Sequence, residues 1–190
     1  MPEWVLAVER AYVSAAMTST PVGPPHDPDN DLVARAYAAA GAVASRYLAV
    51  GTPRSFGLVV HGYDSCEAAA LSLGAHWTWF SPKDIRCAGV GSDGLAHSLR
   101  GDVVPLDEAL AADIVCVHAP IAIKAAQLRR GTHVNVLAKA TLDRELAKLA
   151  TITHEIPDLG KLAAGLVDGR QLDEITIFVI GDGAIALRAL

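Results

Sequence analysis

The stretch "LVVHGYDSCEAAALSLGAHWTWF", Leu58 to Phe80, decides how the chain is read. An apolar run ends at a glycine, and an alanine-rich segment of helical composition follows, which is the opening of a strand–turn–helix unit. Against the phosphate-binding pattern G-x-G-x-x-G, Gly62 holds the first position, Asp64 the second and Glu67 the third. Asp64 and Glu67 stand at capping-box spacing, with which a helix satisfies its own first N–H groups. A phosphate within ~4 Å of such a carboxylate meets roughly 4 kcal/mol of repulsion at an effective dielectric near 20. A micromolar affinity is worth about 8 kcal/mol, so half of it would be lost. The expectation is a self-capped turn that does not take a dinucleotide in the usual manner.

Outward from this unit, short apolar runs alternate with helical segments. The runs "FGLVV", "HWTWF", "DIVCV" and "THVNVL" are expected strands, with weaker ones at "DVV", "ATITHE" and "EITIFVI". Between them "SCEAAALSLG", "LDEALAA", "IKAAQLRRG" and "LDRELAKL" are expected helices. This alternation predicts an α/β fold, a Rossmann-like doubly wound parallel sheet with helices on both faces. Upstream, Glu3 to Met17 and the alanine-rich Leu32 to Val50 read as helices around the Pro/Asp connector "TSTPVGPPHDPDND". Residues 1–50 are thus an amino-terminal helical extension, and residues 51–190 the Rossmann-like unit.

In 190 residues, 52% are hydrophobic, 19% are charged and the net charge is −5, which describes a folded chain with no basic footprint for nucleic acid or anionic membrane. Cys66, Cys87 and Cys116 form no C-x-x-C pair and leave one thiol over in any pairing scheme, as a reducing cytoplasm allows. The amino terminus has no signal pattern, and no apolar run is of bilayer-spanning length. A cytoplasmic protein is expected.

The order of the pieces resembles a known family. "LVARAYAAAGAVASRYLAVGTPRSFGLVVHG", "LDEALAADIVCVHAP", "LRRGTHVNVLAKATLDREL" and "LAAGLVDGRQLDEITIFVIGDGAIAL" follow, in order, segments of the ornithine cyclodeaminase/mu-crystallin family. That family includes archaeal-type alanine dehydrogenases and some ketimine and pyrroline-carboxylate reductases. The initial "VLAVERAYVSAAMTSTPVGPP" resembles its first helix. The resemblance implies an NAD(P)-binding domain, and normally a large substrate and dimerisation domain between the first helix and the alanine-rich one, where only the connector stands here. It also implies a catalytic aspartate after the "hVN" strand. The matching stretch is Lys139-Ala140-Thr141, with Ala140 at the acid's position and Asp143 as the nearest aspartate, so cyclodeamination is not expected.

The candidate cofactor contacts are Gly62, Tyr63, Asp64 and Ser65 in the turn, Ser81 and Lys83 after the expected second strand, and His118 at a strand end. No acidic residue that would receive a ribose hydroxyl follows that strand, and Ser81 with Lys83 would favour NADP(H) if any dinucleotide binds. His118, Lys139 and Asp143 are the catalytic candidates, with His61 a neighbour of His118. No metal-ligand spacing occurs, and "Gly91-Ser92-Asp93-Gly94" and "Gly181-Asp182-Gly183" read as turns. Three functions are consistent with this: a divergent Rossmann protein binding a partner or small molecule, an NAD(P)H-dependent oxidoreductase needing a partner chain, or a structural subunit. Self-association as a homodimer is expected from the apolar faces of the two amino-terminal helices.

Overall fold

A computed structural model describes residues 28–49, 51–167, 169–170 and 173–180. The expected helix at Glu3–Met17, most of the connector and the Gly181-Asp182-Gly183 turn lie outside the described residues. Helix α1 spans Pro28–Leu48, beginning four residues before Leu32 because proline suits the first helical position, where its missing N–H has no intrahelical role. Its alanines are packing surfaces on two sides. Ala38, Ala39 and Ala42 meet Leu71 and Ala75, while Ala40, Val43, Ala44 and Leu48 join the core over the sheet. Only short side chains let one helix lie this close to two neighbours.

The strands are β1 (Ser55–His61), β2 (Asp84–Val90), β3 (Asp102–Val103), β4 (Ile114–His118), β6 (His133–Val136), β8 (Thr151–His154) and β9 (Thr176–Val179), with β5 (Ala122–Ile123) and β7 (Thr141–Leu142) forming a separate pair. The main sheet has the order β3-β2-β1-β4-β6-β9-β8, and every pairing in it is parallel. Helices α2 (Tyr63–His76), α3 (Ser92–Leu99), α4 (Leu106–Leu110), α5 (Arg144–Leu149) and α6 (Glu155–Ala163) complete the described fold. Phe56, Leu58 and Val60 face the α1–α2 layer and Val59 the opposite one, so the central strand is buried on both faces and reads as an unbroken apolar run.

Three local expectations are corrected. "HWTWF" is the end of α2 and a turn, in which Trp79 and Phe80 N–H groups bond back to the His76 carbonyl at 3.0 and 2.9 Å. Its aromatic β-propensity yields to tertiary packing, with Trp79 against both the α1–α2 layer and the core beneath it. The second strand is instead "DIRCAGV", Asp84–Val90. "IKAAQLRRG" makes only a 3-10 turn at Ala125–Gln127, closed by the Gln127 side chain accepting from Lys124 N–H at 2.8 Å. Gly91-Ser92-Asp93-Gly94 is not a free turn but the start of α3.

Candidate functional site

The strand order reverses direction between β1 and β4, and open parallel sheets place ligands beyond the carboxyl ends of the strands at such a point. Here β1 runs into Gly62, whose φ of 93° and ψ of 178° are available to glycine at no steric cost, and α2 begins at the next residue. Ser65 shapes this turn. Its hydroxyl donates to the Gly62 carbonyl and accepts from His61 N–H, both at 2.7 Å. Gly62 N–H bonds the Val90 carbonyl at 2.9 Å, and Cys66 Sγ lies 3.5 Å from the Gly91 carbonyl, so the ends of β1 and β2 are tied together. Gly91, at φ 90°, caps α3.

The capping box is not formed. Gly62 is the cap of α2 and, having no side chain, makes no side-chain cap hydrogen bond. Asp64 is an exposed residue of the first turn. Glu67 engages the Tyr63 phenol, which is raised above its ordinary value by that hydrogen bond, then by burial and the Glu67 and Asp64 charges. The earlier expectation fails because the helix starts two residues sooner than the carboxylate spacing implied. Exposure also weakens the electrostatic objection, since the repulsion at ~4 Å falls toward about 1 kcal/mol in water-like surroundings.

Ser81 and Lys83 lie in the loop before β2, and Asp84 pairs with Ser55, the first residue of β1. They occupy the opposite edge of the sheet from the crevice. The residues that follow β2 are Gly91, Ser92, buried, and Asp93, exposed. Sequence reasoning missed them because it placed the strand one segment early; the glycines flanking Val90 and the run "IRCAGV" were the available signal.

His118 ends β4, is 8% exposed and hydrogen-bonds through Nε2 to Ser72 Oγ at 3.0 Å. Burial, reinforced by the charge of His76, pushes it down to about 3, so it is neutral near pH 7. It pairs in register with Val60, and His61, one residue on, is exposed on the alternate face, so the two histidines are not brought together. Lys139 is exposed and Ala140 buried. Asp143 caps α5, accepting from Leu146 N–H at 2.7 Å and Ala125 N–H at 3.3 Å.

Behind His118 runs a buried polar chain that the sequence did not reveal. His76 places Nδ1 2.6 Å from the Ser72 carbonyl and Nε2 2.8 Å from Ser45 Oγ. Asn135 Nδ2 donates to Ser45 Oγ at 2.9 Å, and its Oδ1 lies 3.1 Å from His133 Nε2. His133 Nδ1 is 2.8 Å from Thr176 Oγ1. Because the Ser72 carbonyl can only accept, His76 carries its proton on Nδ1, while the one Ser45 hydroxyl proton is shared between His76 Nε2 and the Gly41 carbonyl, 2.9 Å away. Asn135 Oδ1 can only accept, so His133 donates from Nε2, and the one Thr176 hydroxyl proton is shared between His133 Nδ1 and the Leu48 carbonyl, 2.9 Å away. Burial lowers His76 to about 4 and His133 to about 3.

Among the described residues no group of three His, Cys, Asp or Glu could hold a metal ion. Cys66, Cys87 and Cys116 are free, and burial raises the last two to about 11 and about 12. No helix among the described residues is long and apolar enough to cross a membrane.

No family model matches the sequence, and no curated protein matches it. Solved structures do. An archaeal alanine dehydrogenase dimer with bound NAD is 25% identical, with a TM-score of 0.69 over 81% of this chain and 62% of that one. An iminosuccinate reductase of Paracoccus denitrificans in complex with NAD+ is 22% identical, with a TM-score of 0.66 over 84% and 62%. A lysine cyclodeaminase is 20% identical, with a TM-score of 0.58 over 80% and 56%. The two lower identities bear on the fold alone. The chain spans less than two thirds of the length of each. Its structural neighbours are thus dehydrogenase, imine reductase and cyclodeaminase proteins, the kinds gathered in the family that the sequence resembles.

Proposed function

We propose that this chain is the dinucleotide-binding part of an NAD(P)-dependent oxidoreductase of the imine reductase or amino-acid dehydrogenase type. The observation that carries the reading is the amino terminus of α2, capped by a glycine without a side chain and set by it at the reversal point of the sheet. Helix N–H groups and the positive end of the helix dipole suit a pyrophosphate there. Two of the structural neighbours hold NAD, which supports a dinucleotide as the ligand. Gly62 and Ser65 shape the pyrophosphate turn, Tyr63 flanks it, and the exposed Asp93 beyond β2 meets the adenosine ribose. The cofactor supplies hydride chemistry when bound. His118 and its Ser72 partner fix the wall of the crevice with an uncharged ring. Groups that hold the substrate come from outside the described residues, in this chain or another, and homodimerisation is the simplest source.

Ala140 at the position of the family's catalytic acid argues against cyclodeamination. A second reading, a divergent protein that binds a partner or small molecule without pyrophosphate, is favoured by Asp64 in the first turn of α2. Calorimetric titration with NADH and NADPH separates the two readings. Micromolar binding of NADH supports the oxidoreductase reading; absence of binding of either cofactor at millimolar concentration overturns it in favour of the second.

A further inference from the structure

At the edge of the sheet opposite the crevice, the loops leading into β1, β4, β6 and β9 meet side by side because these strands are consecutive neighbours. They enclose an open cavity of about 340 Å³ lined by Arg54, Arg129 and Arg130, with Asp113 and Asp173. The carboxylate of Asp113 is already committed. One oxygen accepts from Arg54 N–H at 2.8 Å, Ser55 N–H at 2.9 Å and Ser55 Oγ at 2.9 Å. The other accepts from Arg129 at 3.1 Å. These bonds hold Asp113 below the ordinary carboxylate range against the opposing effect of burial. Arg129 is therefore anchored while keeping further donors. Thr132 N–H closes a turn onto the Arg129 carbonyl at 3.1 Å, with Gly131 at φ 91°, which sets Arg129 and Arg130 on the same loop beside Arg54. Among the described residues the Arg54 and Arg130 side chains have no ion pair. Three guanidiniums against two carboxylates leave the cavity net positive, with two planar donor forks uncommitted.

We propose that this cavity is a binding site for a small phosphate-bearing anion, held by bidentate hydrogen bonds from Arg54 and Arg130 with Arg129 as the fixed third donor. The cavity has room for more than a single phosphate group, so a phosphorylated small molecule fits it. β1 is seven residues long, so the cavity lies about 20 Å from the crevice at the usual rise of a strand. Occupancy here does not compete with a dinucleotide there.

The test is the melting temperature of the full chain in inorganic pyrophosphate, against sodium chloride of equal ionic strength, for the parent, Arg54→Ala/Arg130→Ala and Arg54→Lys/Arg130→Lys. The expected result is a saturable rise in the parent at millimolar pyrophosphate, lost in the alanine variant and at least halved in the lysine variant, whose ammonium groups cannot form the fork. Both residues are exposed, so the variants fold; equal melting temperatures in chloride confirm it. Pyrophosphate strengthens folded proteins generally through exclusion from their surface, so a rise of equal size in parent and alanine variant overturns the proposal. A rise that persists in the alanine variant but vanishes on adding NADH assigns the anion to the crevice and also overturns it.

Discussion

Three buried neutral histidines should make the fold acid-labile well above the range in which its carboxylates titrate. His76, His118 and His133 are pushed to about 4, about 3 and about 3 by burial, whereas in the unfolded chain each titrates near ~6.5. The unfolded state therefore binds more protons between these limits, and stability rises with pH there. It is complete above the unfolded value and is lost as pH falls toward the folded ones. Going from pH 7 to pH 5 removes about 1.8 kcal/mol for each such group, or on the order of 5 kcal/mol for the three. That is a large share of the ~5–15 kcal/mol typical of a domain. Urea unfolding followed by far-ultraviolet circular dichroism at pH 7, 6 and 5 gives the free energies directly. His118→Gln keeps a partner for Ser72 and removes one titration, so its loss between pH 7 and 5 should be about a third smaller. A parent stability that is flat across this range, or a variant with the parent's slope, would refute the assignment of neutral buried rings.

Other outcomes follow from the same geometry. Ser45→Ala strips both His76 Nε2 and Asn135 Nδ2 of a buried partner and should cost about 2–4 kcal/mol, read as a lower urea midpoint at pH 7. Asp64→Asn removes an exposed carboxylate beside the proposed pyrophosphate position and should tighten NADH binding about fivefold at low salt, an effect that shrinks as ionic strength rises; unchanged affinity at low salt places the phosphates elsewhere. Purified protein should not convert ornithine to proline, and turnover that survives purification to homogeneity contradicts the reading of Ala140. Sedimentation should show a dimer, as in the alanine dehydrogenase structure; a monomer at high concentration counts against it.

The periodicity of apolar runs was enough to determine the parallel α/β class, a strand-to-helix turn at Gly62 and the alanine-rich packing helix, because burial on both faces leaves its mark on every residue of a strand. The order of segments carried the family resemblance for the same reason. What the sequence could not decide were choices settled by neighbours distant along the chain. "HWTWF" has strand propensity, but Trp79 packs against the α1–α2 layer and the core beneath it, and the strand falls one segment later, which moves Ser81 and Lys83 to the far edge and puts Ser92 and Asp93 at the crevice. Asp64 and Glu67 have capping-box spacing, but a helix starting at Tyr63 leaves the box unformed. The chain from Thr176 through His133, Asn135 and Ser45 to His76 joins residues up to 90 positions apart between successive members, and hydrogen bonds of that span have no periodic trace in a sequence. Only the packing of α1 across α2 and the sheet brings them into line.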